Sequence, residues 1–337
     1  MKVVEIREQF GLEHLALGER PEPAAGPGQI VLRMRAASLN YRDLLMARGQ
    51  YDPKQPLPLI PCSDGVGEVV SVADDVERVK LGDRVAPIFA QRWIGGEPRP
   101  DHLRSTLGGP LDGTLAEWMA VDAESVVRVP DHLTDEEAAT LPCAGVTAWN
   151  ALVTQGAVKA GDTVLVQGTG GVSIFALQLA NLLGARVVVT SSSDEKLERA
   201  RALGAWKTIN YVETAAWGRE AKAMTGGAGV DLVIEVGGAG TFAQSVAALR
   251  TGGRIALIGI LAGVKSEVDL IPLLMRQIRV QGIFVGSREN FEAMNLAIEA
   301  HSLRPPVSRI FPLDEARAAF EFLAAGRHFG KVGLLIG

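Results

Sequence analysis

Apolar positions in the first 120 residues come in short runs of β-branched and aliphatic side chains, broken at close intervals by Gly and Pro. Ile30–Arg35, Gly67–Val72, Arg84–Ile88 and Glu117–Val121 each read as a strand. Turn residues such as the run Gly26, Pro27, Gly28 separate them. This part of the chain predicts a compact, mostly β module. From Thr134 the period lengthens. Asp135–Leu141 carries a helical pattern, with Thr134 at the N-cap and Glu137 three residues on, a capping-box signature. Beyond Gly161 strand, turn and helix alternate. Strands are predicted at Thr163–Gln167, Arg186–Thr190, Asp231–Val236, Arg254–Ile258 and Val280–Phe284, and helices at Ile174–Leu183 and Glu195–Leu203. That alternation implies a parallel sheet with helices on both faces, because each crossover must run over one face of the sheet. Phe291–Gly337 predicts two amphipathic helices and a last strand near Val332–Ile336.

A length of 337 residues suits two domains, and 47% hydrophobic residues suffice for packed cores. With a formal net charge of -5, no basic face for nucleic acid or an anionic membrane is expected, and a small molecule becomes the expected partner. The opening M-K-V-V-E-I-R-E carries charge at once and no run is long enough to span a bilayer, so a cytoplasmic protein is expected. Cys62 and Cys143 are the two cysteines, too few for a disulfide framework or a four-cysteine metal site. In a reducing compartment both read most simply as buried thiols.

The strongest chemical signal is V-L-V-Q-G-T-G-G-V-S, Val164 to Ser173. A strand runs into Gly168, Thr169, Gly170, Gly171 and Val172, and a helix follows at once. A dinucleotide site needs this arrangement. Gly168 permits the tight turn, Gly170 lets the backbone approach the pyrophosphate, and the helix N-terminus offers free N–H groups to the phosphates. Ser173 stands where a third Gly is usual, and a side chain that small still permits close packing of helix on strand. The second strand ends at Thr190 and is followed by Ser191, Ser192 and Ser193. An acidic residue there would bind the ribose hydroxyls of NAD and repel a 2′-phosphate. Hydroxyls together with Lys196, and the phenol of Tyr211 after the next strand, would donate to that phosphate, which predicts NADP(H). The same S-S-S-D-E-K run also reads as a helix N-cap with Asp194 and Glu195 in the first turn, and the two readings are compatible.

Several blocks in order resemble the medium-chain dehydrogenase/reductase superfamily along nearly the whole chain. They are A-S-L-N-Y-R-D-L-L, P-C-S-D-G-V-G-E-V-V, the G-D-R-V at Gly82–Val85, L-P-C-A-G-V-T-A-W-N-A-L, the Gly-rich turn, and H-F-G-K-V near the end. The likeness is to the zinc-free quinone and enoyl reductases and to zinc-lacking alcohol dehydrogenase-like proteins. It implies an α/β architecture: a GroES-like β-barrel catalytic domain over 1–123 and 287–337, and a doubly wound Rossmann domain over 124–286, with the active site in a cleft between them. It also implies a homodimer joined through the last Rossmann strand, near Arg279–Val285.

Motif against motif, the catalytic zinc ligands of alcohol dehydrogenases fall on Asn40, Ser63 and Cys143. Zinc prefers thiolate and imidazole, so Asn and Ser are poor ligands, and no metal is expected. Asp64 matches the acidic neighbour of the usual His. Arg92–Gly113 replaces the cysteine-rich lobe that carries structural zinc, and His14, His102, His132, His301 and His328 show no ligand spacing. Cys143 itself reads as a small buried residue rather than a ligand. The resemblance places Asn40, Tyr41, Asp43 and Tyr51 as catalytic candidates, with Tyr51 where enoyl thioester reductases carry a catalytic tyrosine. Tyr41 and Tyr51 also read as aromatic packing and Asp43 as a helix cap. Thr147, Gly259 and Lys331 are placed near the cofactor.

Without a Lewis acid, hydride transfer to an isolated aldehyde loses several kcal/mol of oxyanion stabilisation. Conjugated acceptors spread that charge, so hydrogen-bond donors alone can suffice. The expected activity is therefore NADPH-dependent reduction of a conjugated carbonyl, enoyl or quinone substrate. The alternatives are an alcohol or aldehyde dehydrogenase, and an NADPH-binding protein without turnover.

Overall fold

The computed structural model describes residues 1–337, which divide into two compact units, Met1–Val146 with Gly286–Gly337 and Thr147–Val285. The first stretch holds β1 (Lys2–Ile6), β2 (Leu15–Glu19), β3 (Gln29–Leu39), α1 (Tyr41–Ala47), β4 (Asp64–Val72), β5 (Arg84–Pro87), α2 (Pro100–Leu103), β6 (Trp118–Asp122), β7 (Val126–Arg128) and α3 (Asp135–Ala138). The chain passes to the second unit in α4 (Val146–Trp149), which is flanked by π-helical stretches at Leu141–Gly145 and Asn150–Thr154. The second unit then runs β8 (Thr163–Gln167), α5 (Gly171–Leu182), β9 (Arg186–Ser191), α6 (Asp194–Ala202), β10 (Lys207–Asn210), α7 (Trp217–Met224), β11 (Val230–Glu235), α8 (Phe242–Ala248), β12 (Leu249–Leu257), α9 (Ile271–Met275) and β13 (Arg279–Gly282). The return to the first unit adds α10 (Arg288–Ala300), β14 (Val307–Pro312), α11 (Ala316–Ala324) and β15 (Lys331–Leu335).

In the first unit β3 is the organising strand. It pairs antiparallel with β4, β6 and β15, and the sheet runs β14-β15-β3-β4-β5-β7 with β6 alongside β3. Its apolar positions Ile30, Leu32, Met34 and Leu39 are buried with Val69, Val121, Phe320 and Val332 in one cluster. Each such side chain contributes roughly 1.5–3 kcal/mol by leaving water. β15, from the far end of the chain, lies in register against Ala36–Leu39. That pairing brings Lys331 to the strand end where Asn40 begins α1. Behind it the loop before β6 closes on the Pro61–Cys62 backbone. Gly113 N donates to Ile60 O at 2.7 Å, and a Cβ on Gly113 would lie 2.0 Å from Cys62 O, so only glycine fits.

The second unit is a six-stranded, all-parallel sheet in the order β10-β9-β8-β11-β12-β13. This is the doubly wound order, and the direction of winding reverses between β8 and β11. Leu165, Val188, Val233 and Ile255 fill one face against Trp217, Val246 and Leu249. The strands match the expected runs closely, except that β13 ends at Gly282 and its four residues are exposed at the sheet edge.

The return to the first unit falls at Val285/Gly286, one residue from the expected boundary, but the outward crossing falls at Val146/Thr147 rather than 123/124. The reason is that β7 pairs with β5 and α3 packs on β3, which keeps this stretch with the barrel sheet. The Thr134 capping box forms: Thr134 Oγ1 accepts from Glu137 N at 3.3 Å, and Glu137 Oε2 accepts from Thr134 N at 3.0 Å. No helix is long and apolar enough to cross a membrane.

Candidate active site

Asn40 stands between β3 and α1, a position where Asn normally caps the helix with its side chain. Here it does not. Asp43 Oδ2 accepts from Asn40 N at 2.8 Å, while the Asn40 amide turns elsewhere: Oδ1 accepts from Lys331 Nζ at 2.5 Å and Nδ2 lies 3.4 Å from Ser63 Oγ. Lys331 is 3% exposed, and its ammonium also donates to Leu39 O at 2.9 Å and Asp64 Oδ2 at 3.0 Å. Ser38 Oγ lies 3.0 Å from both Asp64 Oδ2 and Ala139 O. Asp64 Oδ1 is buried with no hydrogen-bond partner. Burial, and next the charge of Asp64, push the Cys143 thiol up, so it keeps its proton.

The three ligand positions present an amide, a hydroxyl and a thiol, of which only the thiol is a donor that zinc prefers, and the Lys331 ammonium is hydrogen-bonded to the amide. No group of three or more His, Cys, Asp and Glu elsewhere could hold a metal ion. Of the histidines, His102 stacks on Trp93 at 6.0 Å and His132 Nε2 contacts Leu303 O.

This geometry bears on three expectations. Lys331, expected near the cofactor, has all three of its N–H bonds taken within the first unit, by Leu39 O, Asn40 Oδ1 and Asp64 Oδ2. Asp43 is fully buried, with one oxygen on Asn40 N and the other accepting from Arg42 at 3.2 Å, so it holds the start of α1 rather than facing a substrate. Burial first, with Asp64 adding to it against the pull of Arg42, pushes its carboxyl up to about 6. Cys143 is half-buried as a residue, although its thiol group is shielded from water. Tyr41 and Tyr51 are each 44% exposed. The Tyr51 ring lies 4.9 Å from the guanidinium of Arg42, which faces Phe89 as well and donates to Leu107 O and Gly109 O. Arg42 thus anchors Tyr51 and the 107–109 loop together, a role that sequence pattern does not reveal.

In the second unit the Gly-rich turn has the required form. Gly168 takes a φ of 71°, which side-chain-bearing residues resist, and open space surrounds it. Gly170 caps α5 without a side-chain hydrogen bond, leaving the first-turn N–H groups, including those of Gly171 and Val172, for a phosphate. Thr169 is buried, and Ser173 Oγ donates to Gln167 O at 2.7 Å, seating the helix on the strand end. Ser191 ends β9 and its carbonyl accepts from Tyr211 N at 3.1 Å, which brings those two residues together. Ser193 caps α6 by accepting from Lys196 N, Ser192 is exposed, and Asp194 is held by Asn210 Nδ2 at 2.9 Å. Burial, and next Arg199, lower the pKa of Lys196. Thr147 is buried at the start of the unit, and a Cβ on Gly259 would meet Val236 O at 2.3 Å.

Sequence reading missed the polar hub behind this turn. Fully buried Glu235, ending β11, accepts from Gly237 N and Gly238 N at 2.9 Å, Thr241 Oγ1 at 2.6 Å, Gln167 Nε2 at 2.7 Å, and Ser245 Oγ. Gln167 Oε1 accepts from Val236 N and Gly237 N, and Glu235 O accepts from Ile258 N and Gly259 N. The ends of β8, β11 and β12 are therefore fixed to one another where the winding reverses. A Gln and a Glu in apolar strands were the available signal.

This sheet order and turn are those of a nicotinamide-dependent dehydrogenase, and comparison with known proteins agrees. Residues 26–131 match the alcohol dehydrogenase GroES-like domain, and residues 171–299 match the zinc-binding dehydrogenase family. A zinc-type alcohol dehydrogenase-like protein of Schizosaccharomyces pombe is 45% identical over 92% of this chain and 91% of its own. An acryloyl-coenzyme A reductase of Metallosphaera sedula is 32% identical over 93% of each. The solved structure of an NAD-dependent alcohol dehydrogenase superposes with a TM-score of 0.92 at 34% identity, covering 100% of both chains. The chain belongs to the medium-chain dehydrogenase/reductase superfamily: a GroES-like domain joined to a Rossmann domain, with the nicotinamide cofactor that the family implies. It is an oxidoreductase, and the relatives favour the alcohol dehydrogenase alternative over the enoyl or quinone expectation.

Proposed function

We propose that the protein is an NADPH-dependent oxidoreductase of carbonyl compounds that works without bound zinc, in the cytoplasm. The observation that carries this reading is the Lys331 ammonium, hydrogen-bonded to Asn40 Oδ1, one of the ligand positions of zinc relatives, and to Asp64 Oδ2 beside a second. For substrate class, the names of relatives support an alcohol and its aldehyde or ketone. A conjugated carbonyl is the second reading. It is favoured by a donor set without a Lewis acid, and two relatives are named acryloyl-coenzyme A reductase. When bound, the nicotinamide supplies or takes up hydride. The turn at Gly168–Gly171 would hold its pyrophosphate, with Ser191, Ser192 and Tyr211 at the adenosine ribose. Asn40 Nδ2 donates to the acceptor oxygen, and the exposed phenol of Tyr51 is the second donor.

The test is a panel. NADPH oxidation is followed with butanal, 2-cyclohexen-1-one, crotonyl-coenzyme A and 1,4-benzoquinone, with and without chelator, on protein whose metal content has been measured. Substoichiometric zinc and chelator-resistant turnover are expected. One zinc per chain with chelator-sensitive turnover would overturn the zinc-free reading, and no turnover with tight NADPH binding would leave a binding protein. Tyr51→Phe run on the same panel separates the two donors.

Self-association is the expected quaternary state. β13 is an exposed edge strand of a parallel sheet, and nearby Leu270, Ile271, Leu274 and Met275 are exposed apolar residues on and beside α9. Covering such an edge with a second copy removes both liabilities. Light scattering at micromolar concentration should give twice the chain mass, and a monomer would count against the dimer.

A further inference from the structure

Five polar residues meet at the end of β3: Ser38, Asn40, Ser63, Asp64 and Lys331. Four of them are buried, and Asn40 alone reaches solvent. Whatever this cluster does to a bound molecule must pass through the Asn40 amide. An ammonium has no acceptor, so the Asn40 atom facing Lys331 must be the oxygen. The Nδ2 group is thereby forced the other way, and its nearest protein acceptor, Ser63 Oγ, is 3.4 Å off. One amide hydrogen goes to Ser63 Oγ, and the other remains to be given elsewhere. The cation does a second thing: a hydrogen bond from an ammonium to the amide oxygen draws electron density from nitrogen and strengthens the N–H as a donor. Asp43 fixes the Asn40 backbone at the start of α1.

We propose that Lys331 is a positioning residue, a built-in cation that locks and polarises the Asn40 amide so that its Nδ2 is presented to the substrate oxygen. This rests on the reading of Asn40 as the donor. Asp64 in turn holds Lys331, and Ser38 holds Asp64.

The experiment compares Asn40→Ala, the charge-neutral pair Lys331→Met with Asp64→Asn, and the triple variant. Each is assayed for NADPH oxidation with 2-cyclohexen-1-one and butanal, for NADPH affinity and for melting temperature. The neutral pair avoids stranding one buried charge, and its melting temperature shows that it folds. Asn40→Ala and the paired variant are each expected to lower kcat about 10²–10³-fold with NADPH affinity little changed. The triple variant should lose no more than either, because both remove the same donor. Additive losses, or wild-type kcat in the pair alongside a crippled Asn40→Ala, would overturn the role of Lys331 while leaving Asn40 in place. Wild-type kcat in Asn40→Ala would remove the donor reading and this inference with it. A second readout needs no turnover. The Asn40 side-chain amide resonances, assigned by their loss in Asn40→Ala, should shift in the paired variant. Unchanged resonances would overturn the proposal even if neither acceptor is reduced.

Discussion

Each unit of this molecule buries a carboxylate beside its site, and the two are solved differently. Glu235 is surrounded by neutral donors, two backbone N–H groups and three side chains, and both its oxygens are occupied. Asp64 meets a lysine and a serine on one oxygen, and its other oxygen has no partner. The first arrangement is a joint: it spreads one charge over many bonds and ties three strand ends together. The second is a charge pair, and it serves a third group, the Asn40 amide. The difference teaches what each unit asks of its polar core. The Rossmann unit needs backbone held in fixed form, whereas the GroES-like unit needs a particular side chain turned a particular way.

The sharpest way to break the comparison is through stability. Lys331→Met or Asp64→Asn alone should each cost roughly 3–5 kcal/mol, because one charge is left buried without its partner. Made together they should recover most of that loss. Glu235→Ala should cost a similar roughly 3–5 kcal/mol from several stranded donors, with no single second change to rescue it. Urea unfolding of the five variants checks this, and a Gln167→Ala change that rescued Glu235→Ala would erase the distinction.

A smaller effect is expected at the cofactor. Ser191→Asp places a carboxylate beside Tyr211 and should shift preference from NADPH toward NADH by about tenfold or more, roughly 1.4 kcal/mol. Fluorescence titration of both nucleotides measures it, and tighter binding of NADH by the unaltered protein would contradict the NADPH reading itself.

A third effect, spread over pH, concerns Asp43, whose folded-state pKa of about 6 lies above the ordinary carboxylate value. The folded protein then holds a proton that the unfolded chain releases, so this group's contribution to stability falls as pH rises from about 4 to about 6. Asp43→Asn removes that dependence. Its stability penalty relative to the parent should therefore shrink between pH 4 and pH 6.5, by at most about 1.4 kcal/mol per pH unit. A penalty that grows over this range would reverse the assigned direction.

The two sites were unequally legible in the sequence. The turn at Gly168–Gly171 could be read because it lies within ten consecutive residues and its chemistry is that of the backbone, which glycine spacing encodes. The strands of the second unit were legible for the same local reason. The cluster around Asn40 draws on residues 38–40, 63–64 and 331, and no local pattern reports that β15 pairs with β3. Motif position placed Lys331 near the cofactor, but its bonds to Asn40 and Asp64 follow from register in the sheet and had no local signal. Tyr41 and Tyr51 were identifiable as candidates from motif position alone, but the guanidinium that holds Tyr51 comes from Arg42, a residue with no motif to mark it. β1, β2 and β14 went unread as well: the first two are short strands paired only with each other, and β14 lies at the edge of its sheet.

The distance along the chain between Asp64 and Lys331, 267 residues, also sets an order of events during synthesis. At ribosomal speeds of about 5–20 residues per second, roughly 13–50 seconds pass between the appearance of the carboxylate and that of its counter-ion. Throughout that interval the whole of Thr147–Val285 emerges as one uninterrupted segment, and it can fold while the surrounding unit still waits for its last strand. Until then Asp64 lacks the ammonium that it pairs with in the finished protein. Closing that unit and arming its site are then one event, timed by the arrival of β15.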